Sequence, residues 1–121
     1  MTRVPGSKGW LPYCPYYAVA GDILSQRWAA LILRVLVAGP ARFGEISSAI
    51  PSMTDRLLSQ RLKDLEAAGL VERTLGDGRP ARIHYQLTEK GVELGAVLLE
   101  LNRWALKWVN PEDVEWPTSV D

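Results

Sequence analysis

Arg56, Ser59, Gln60 and Lys63 share a stretch in which Leu58, Leu62 and Leu65 repeat at intervals of four and three. At helical pitch the leucines mark one face. Arg56, Gln60 and Lys63 then fall on the opposite face, with Ser59 on its flank. Arginine and glutamine can each form two hydrogen bonds to a base edge, arginine to guanine and glutamine to adenine, so this face carries chemistry for reading a duplex. Lys63, nearer the C-terminal end, suits a phosphate. Asp55 would repel phosphate, which leaves it helix capping or a cytosine amino group. Arg61 lies nearer the buried side, where a structural ion pair and a phosphate contact are both open. An ordinary solvated helix face is the plain alternative, and the segment that follows weighs against it.

That segment places G-D-G-R-P-A between L-V-E-R-T-L and R-I-H-Y-Q-L. Its two glycines can take positive φ, so it reads as the turn of a hairpin. Arg79 and Arg82 sit at the tip, which Pro80 stiffens, and His84 alternates outward from the second strand. Such a tip could lay guanidinium groups on phosphates or in a minor groove. His84 is given a secondary phosphate role, and Arg42 is a further phosphate candidate. Other chemistry is scarce. One Cys and one distant His form no nucleophile–base pair and no metal cluster, so no enzymatic activity, cofactor or metal is expected. Cys14 admits two roles, a redox-sensing thiol near a helix N-terminus or a small apolar residue packed at an interface. No His or Lys stands close in sequence to activate it, which favours packing.

These groups need elements to position them. Residues 1–14 hold Pro5, Gly6, Gly9 and Pro12 and suit an extended arm. The pattern predicts a short helix over Tyr16–Leu24 and a firmer one over Gln26–Ala38, apolar nearly all round and hence central, ended by Gly39-Pro40. Phe43, Ile46 and Ile50 mark the next helix, stopped by Pro51. Thr54 caps the helix carrying Arg56 to Lys63, and Gly69 terminates it. Ile83, Tyr85 and Leu87 should point inward from the second strand. Thr88 caps a last helix with Leu94, Val97, Leu98, Leu101, Trp104, Ala105 and Trp108 at threes and fours. This amounts to a mainly α chain with a small β-hairpin (α+β), divided as arm 1–13, domain 14–109 and acidic tail 110–121.

At 121 residues one domain is expected, large enough to bury about two-thirds of its unfolded surface without disulfides. No apolar run approaches a membrane span and no signal peptide is evident, so a cytoplasmic protein that does not engage membranes is expected. The net charge is zero, which weighs mildly against DNA. Its distribution is uneven, +3 over residues 1–54, +1 over 55–85 and −4 over 86–121, so a basic face remains available. The competing reading is a protein–protein interaction module of the same shape. The aromatic group Trp10, Tyr13, Tyr16, Tyr17, Trp104 and Trp108 could line a pocket for a small-molecule effector, although core and subunit contact are the commoner uses. The last helix needs a partner for its apolar side, and a second copy of the chain supplies one.

The residues also resemble a known family, the HxlR-type winged helix-turn-helix regulators of bacteria. The resemblance spans about residues 14–108. It rests on Cys14-Pro15, on R-W-A-A-L-I-L-R-V-L with G-P-A-R-F-G-E-I, on L-S-Q-R-L-K-D-L-E-A-A-G-L-V-E-R, and on R-I-H-Y-Q-L-T-E-K-G. It departs at Ser25-Gln26, where many relatives carry glycine, and Cys14 stands one residue further from Trp28 than usual. The resemblance implies a homodimer that binds operator double-stranded DNA and controls transcription, with repression the default. It also implies an interface built from the first and last helices, through Tyr16, Tyr17, Leu94, Leu98, Leu101, Trp104 and Trp108. Some relatives use the cysteine as a redox or electrophile switch. On these expectations Arg42, Thr54, Asp55, Arg56, Ser59, Gln60, Arg61, Lys63, Arg79, Arg82 and His84 make up the DNA-binding set.

Overall fold

The computed structural model describes residues 12–78 and 80–116. Helices α1 (Pro15–Ser25), α2 (Arg27–Leu36), α3 (Phe43–Ala49) and α4 (Asp55–Ala67) come first. Strands β1 (Val71–Leu75) and β2 (Ile83–Leu87) follow, then α5 (Glu89–Trp108) and a 3-10 turn, Pro111–Asp113. The α1–α2 break falls at Gln26, with φ −77° and ψ 100°. That conformation is open to any residue, so the glycine common in relatives is not needed there.

The core forms around α2, as its apolar composition requires. Ala29, Ile32, Leu33 and Leu36 are buried against Ile46 of α3, Leu58, Leu62 and Leu65 of α4, and Leu98 of α5. The helix is not buried all round, since Leu31 is exposed. Arg34 lies at the surface, where its Nε donates to Oδ1 of Asn102 at 2.8 Å and ties α2 to α5. Leu98 is 4 % exposed and Leu94 packs against the core. Both were expected at a subunit interface and instead fill the protomer's own interior. The reason is their place on α5: Leu94 and Leu98 follow Gly91 and Gly95 over the core, whereas Leu101, only about 20° from Leu94 in azimuth, lies two turns further along, and Val97, Trp104 and Trp108 fall on the flank of that stripe.

The turn after α4 is closely specified. Gly69 takes φ +75°, Leu70 N–H donates to the Leu65 carbonyl oxygen and Gly69 N–H to that of Glu66, which closes a Schellman motif. Lys90 Nζ satisfies the Ala68 carbonyl oxygen at 2.7 Å. Thr88 Oγ1 donates to the Gly69 carbonyl oxygen at 2.6 Å and accepts from Gly91 N–H. One threonine thus caps α5 and fastens it to the end of α4.

The strands pair antiparallel with Val71 opposite Leu87 and Leu75 opposite Ile83. Ala41 adds a one-residue third strand, its N–H and carbonyl both bonded to Tyr85. Tyr85 and Leu87 pack against the core as expected, but Ile83 is 48 % exposed and its neighbour Leu75 76 %. The hairpin runs past the edge of the core, so its inward face has nothing left to cover it.

Gly91 lies where α5 starts over the α4–β1 turn, and a Cβ there would overlap the Leu70 carbonyl oxygen. Gly91→Ala should therefore destabilise by roughly 1–3 kcal/mol through overpacking, read as a lower midpoint in thermal denaturation. An unchanged midpoint would show that α5 does not approach Leu70 this closely.

Candidate nucleic-acid interface

Helix α4 begins with Thr54, whose Oγ1 accepts from Leu57 N–H at 3.2 Å. Burial of Leu58, Leu62 and Leu65 turns Arg56, Gln60 and Lys63 to the surface, with Ser59 half-buried beside them. The side chains of Arg56 and Lys63 have no hydrogen-bond or ion-pair partner among the described residues. They are free cations on one helix face.

Most other polar groups of α4 are committed, within the helix or to its neighbours. Arg61 NH1 donates to Asp64 Oδ2 at 2.9 Å, so Arg61 makes the structural ion pair that its half-buried position allowed. Gln60 Nε2 donates to Asp64 Oδ1 at 3.0 Å. Asp55 does not cap its helix, a task held by Thr54. Its Oδ1 accepts from Ser47 Oγ at 2.6 Å and fastens the N-terminus of α4 to α3. Ser47 was missed in the sequence because a contact eight residues away leaves no periodic signal.

Arg42 precedes α3 and is placed by the Ala41–Tyr85 pairing beside the middle of β2. Its backbone N–H donates to Glu45 Oε1 at 2.8 Å and its guanidinium Nε lies 3.3 Å from the same oxygen. These bonds hold the Glu45 carboxyl below its ordinary value of 4.5, with His84 adding a smaller pull. Arg42 and Arg82 line one open groove with Phe43, Glu45 and Ser48. Arg82 is exposed and its side chain has no partner among the described residues. His84 does not project freely: its ring occupies the space over Gly76, with Nδ1 3.2 Å from the Arg82 carbonyl oxygen. Arg79 lies outside the described residues, as do Trp10, most of the expected arm and the end of the acidic tail.

The remaining candidates are dispersed. Cys14 is half-buried at the N-cap of α1, and Ala18 N–H bonds its carbonyl oxygen. Tyr13, Tyr17 and Val19 expose an apolar surface at α1, and Val97, Leu101, Trp104 and Trp108 expose one on α5. An open apolar groove of about 440 Å³ between α2, β2 and α5 is lined by Leu36, Val37, Pro40, Leu87, Val92 and Leu99, and by none of the aromatic group for which a pocket was one of two readings. Among the described residues no three His, Cys, Asp or Glu side chains cluster, and no helix is long and apolar enough to cross a membrane.

Five helices, the fourth carrying free cations on its outer face, and a two-stranded hairpin with Arg82 beside its turn define a winged helix-turn-helix protein. Residues 23–113 match the family model described as HxlR-like helix-turn-helix, and the chain belongs to that family. The Bacillus subtilis regulator YvaP, named as an uncharacterized HTH-type transcriptional regulator, is 47 % identical over 98 residues, 81 % of this chain and 91 % of that protein. The reduced form of the Bacillus subtilis transcriptional regulator YodB has 42 % identity and a TM-score of 0.71, covering 84 % of this chain and 99 % of that one. The redox regulator HypR in its oxidized form has 30 % identity and a TM-score of 0.70, covering 80 % and 99 %. YodB has also been solved diamide-treated and quinone-bound. The protein is therefore a DNA-binding transcriptional regulator and not an enzyme, and these relatives side with that reading over the protein-interaction module.

Glu45 offers a direct check on the Arg42 arrangement. Because its folded value is lowered, its stabilisation is complete above 4.5 and is lost as pH falls through the folded value. The stability gap between wild type and Glu45→Gln should narrow on acidification across that window. A gap independent of pH would contradict the Arg42–Glu45 pairing.

Proposed function

We propose that the protein is a homodimeric, cytoplasmic repressor that binds a roughly palindromic operator. Helix α4 enters the major groove, where Arg56, Ser59 and Gln60 read bases. Arg42, Lys63, Arg79 and Arg82 hold phosphates, with His84 secondary. Thr54 and Asp55 set the start of the reading helix, and Arg61 supports it through Asp64. The observation that carries this reading is the exposed face of α4, where Arg56 and Lys63 are uncommitted among the described residues, as Arg82 is on the hairpin. Recognition helices read bases near their N-terminal ends, where Arg56, Ser59 and Gln60 stand.

Tyr16 and Tyr17 of α1, with Leu101, Trp104 and Trp108 of α5, form the dimer contact in this proposal. Large exposed apolar surface on two terminal helices supports it, since isolated monomers rarely leave such patches open. Pairing through those helices sets the spacing of the two reading helices. Cys14 stands at the start of α1, and in this proposal modification of its thiol disturbs that pairing. The quinone-bound and diamide-treated forms of YodB support an electrophile or an oxidant as the signal. Such a small molecule is the effector proposed here.

Three outcomes are expected. Arg82→Ala should weaken DNA binding evenly across sequences and lower the slope of log affinity against log salt by about one, whereas an unchanged slope removes Arg82 from the interface. Trp104→Glu should give a folded monomer in analytical ultracentrifugation, and a dimer of undiminished stability would place the interface elsewhere. Cys14→Ser should bind the operator as wild type does but keep binding after diamide or quinone treatment. If it still releases DNA, Cys14 is not the sensor.

A further inference from the structure

Gln60 and Arg61 share a single carboxylate, and the geometry of that sharing bears on what Gln60 can read. Asp64 accepts from Gln60 Nε2 through one oxygen at 3.0 Å and from Arg61 NH1 through the other at 2.9 Å. Arg61 and Asp64 are partly shielded, with side chains 30 % and 42 % exposed, while Gln60 is exposed. A glutamine side chain free to rotate about its last torsion presents its amide donor and acceptor in either order. Adenine accepts only one order, with the carbonyl oxygen toward N6 and the amide nitrogen toward N7.

A carboxylate is an acceptor only, so it can hold the amide nitrogen of Gln60 but never the oxygen. That nitrogen carries two hydrogens. One directed to Asp64 leaves the second, and the whole carbonyl oxygen, for a base. The carboxylate would by itself repel nearby phosphates, and the Arg61 guanidinium neutralises it. Resting on the reading of α4 as the base-reading helix, we propose that Asp64 is a positioning residue that fixes the donor–acceptor order of Gln60 and so imposes adenine at one position of each half-site. Arg61 serves as its counter-charge. The rotation that adenine would otherwise have to freeze is already restricted before DNA arrives.

The test is selection of bound sequences from randomised duplexes by the full-length protein and three variants. Wild type should prefer adenine at one position by roughly tenfold or more, and Gln60→Ala should flatten that position alone. Asp64→Asn, which keeps the shape but admits either amide orientation, should flatten the same position to within about twofold while overall affinity holds or rises. Asp64→Glu, again acceptor-only, should restore most of the preference. If Gln60→Ala flattens the position and Asp64→Asn does not, the positioning role is overturned while base reading stands. If Asp64→Asn lowers affinity evenly across all sequences, Asp64 is merely structural and the proposal also fails. If Gln60→Ala changes no position, base reading by Gln60 fails first and the positioning role with it.

Discussion

The burial of Leu58, Leu62 and Leu65 against α2 is the constraint on which the rest of the molecule depends. Three leucines on one side of a 13-residue helix leave it one azimuth. Removing any one from a core of this kind costs on the order of 2–5 kcal/mol, a large share of the stability of a small domain. Rotating α4 far enough to hide Arg56 or Lys63 would expose all three. The outward face is therefore held by the core, and the polar residues on it need no structural work of their own. That freedom is what allows Arg56 and Lys63 to stand without partners among the described residues.

The remaining parts fix how that face is held relative to the rest of the domain. Ser47–Asp55 ties α3 to the start of α4, and the Schellman turn at Gly69 with Thr88 and Lys90 ties its end to α5. The Ala41–Tyr85 bridge holds the hairpin against the loop before α3, so Arg42 and Arg82 come to one groove. Each link is one or two hydrogen bonds, every bond worth on the order of 1 kcal/mol by itself. Together they hold α4 and the groove of Arg42 and Arg82 in one geometry.

Much of this was legible in the residues because it depends on short-range rules. Thr54, Gly69 and Thr88 punctuate helices by their own chemistry, and the leucine stripe follows from pitch alone. What escaped was long-range or a matter of partner choice. The Ala41–Tyr85 pairing joins residues more than forty positions apart through backbone atoms that no side chain announces. Leu94 and Leu98 differ from Leu101 and Trp104 in where they lie along and around α5, not in being apolar, so hydrophobicity could not separate core from exposed surface. Ile83 kept its inward alternation yet lies 48 % exposed because the core ends before the hairpin does. On α4 itself, residue types pointed to Gln60 and Arg61 as donors, but not to Asp64 as the acceptor they share.

The most direct measurement is recovery of fragments from a random pool by the purified protein, with the number of chains per bound fragment determined on the enriched sequence. The account predicts one short inverted repeat whose half-site centres lie about 10–10.5 base pairs apart, or a multiple of that, bound by two chains. Sequence-blind recovery, or a lone half-site bound by a single chain, would contradict it.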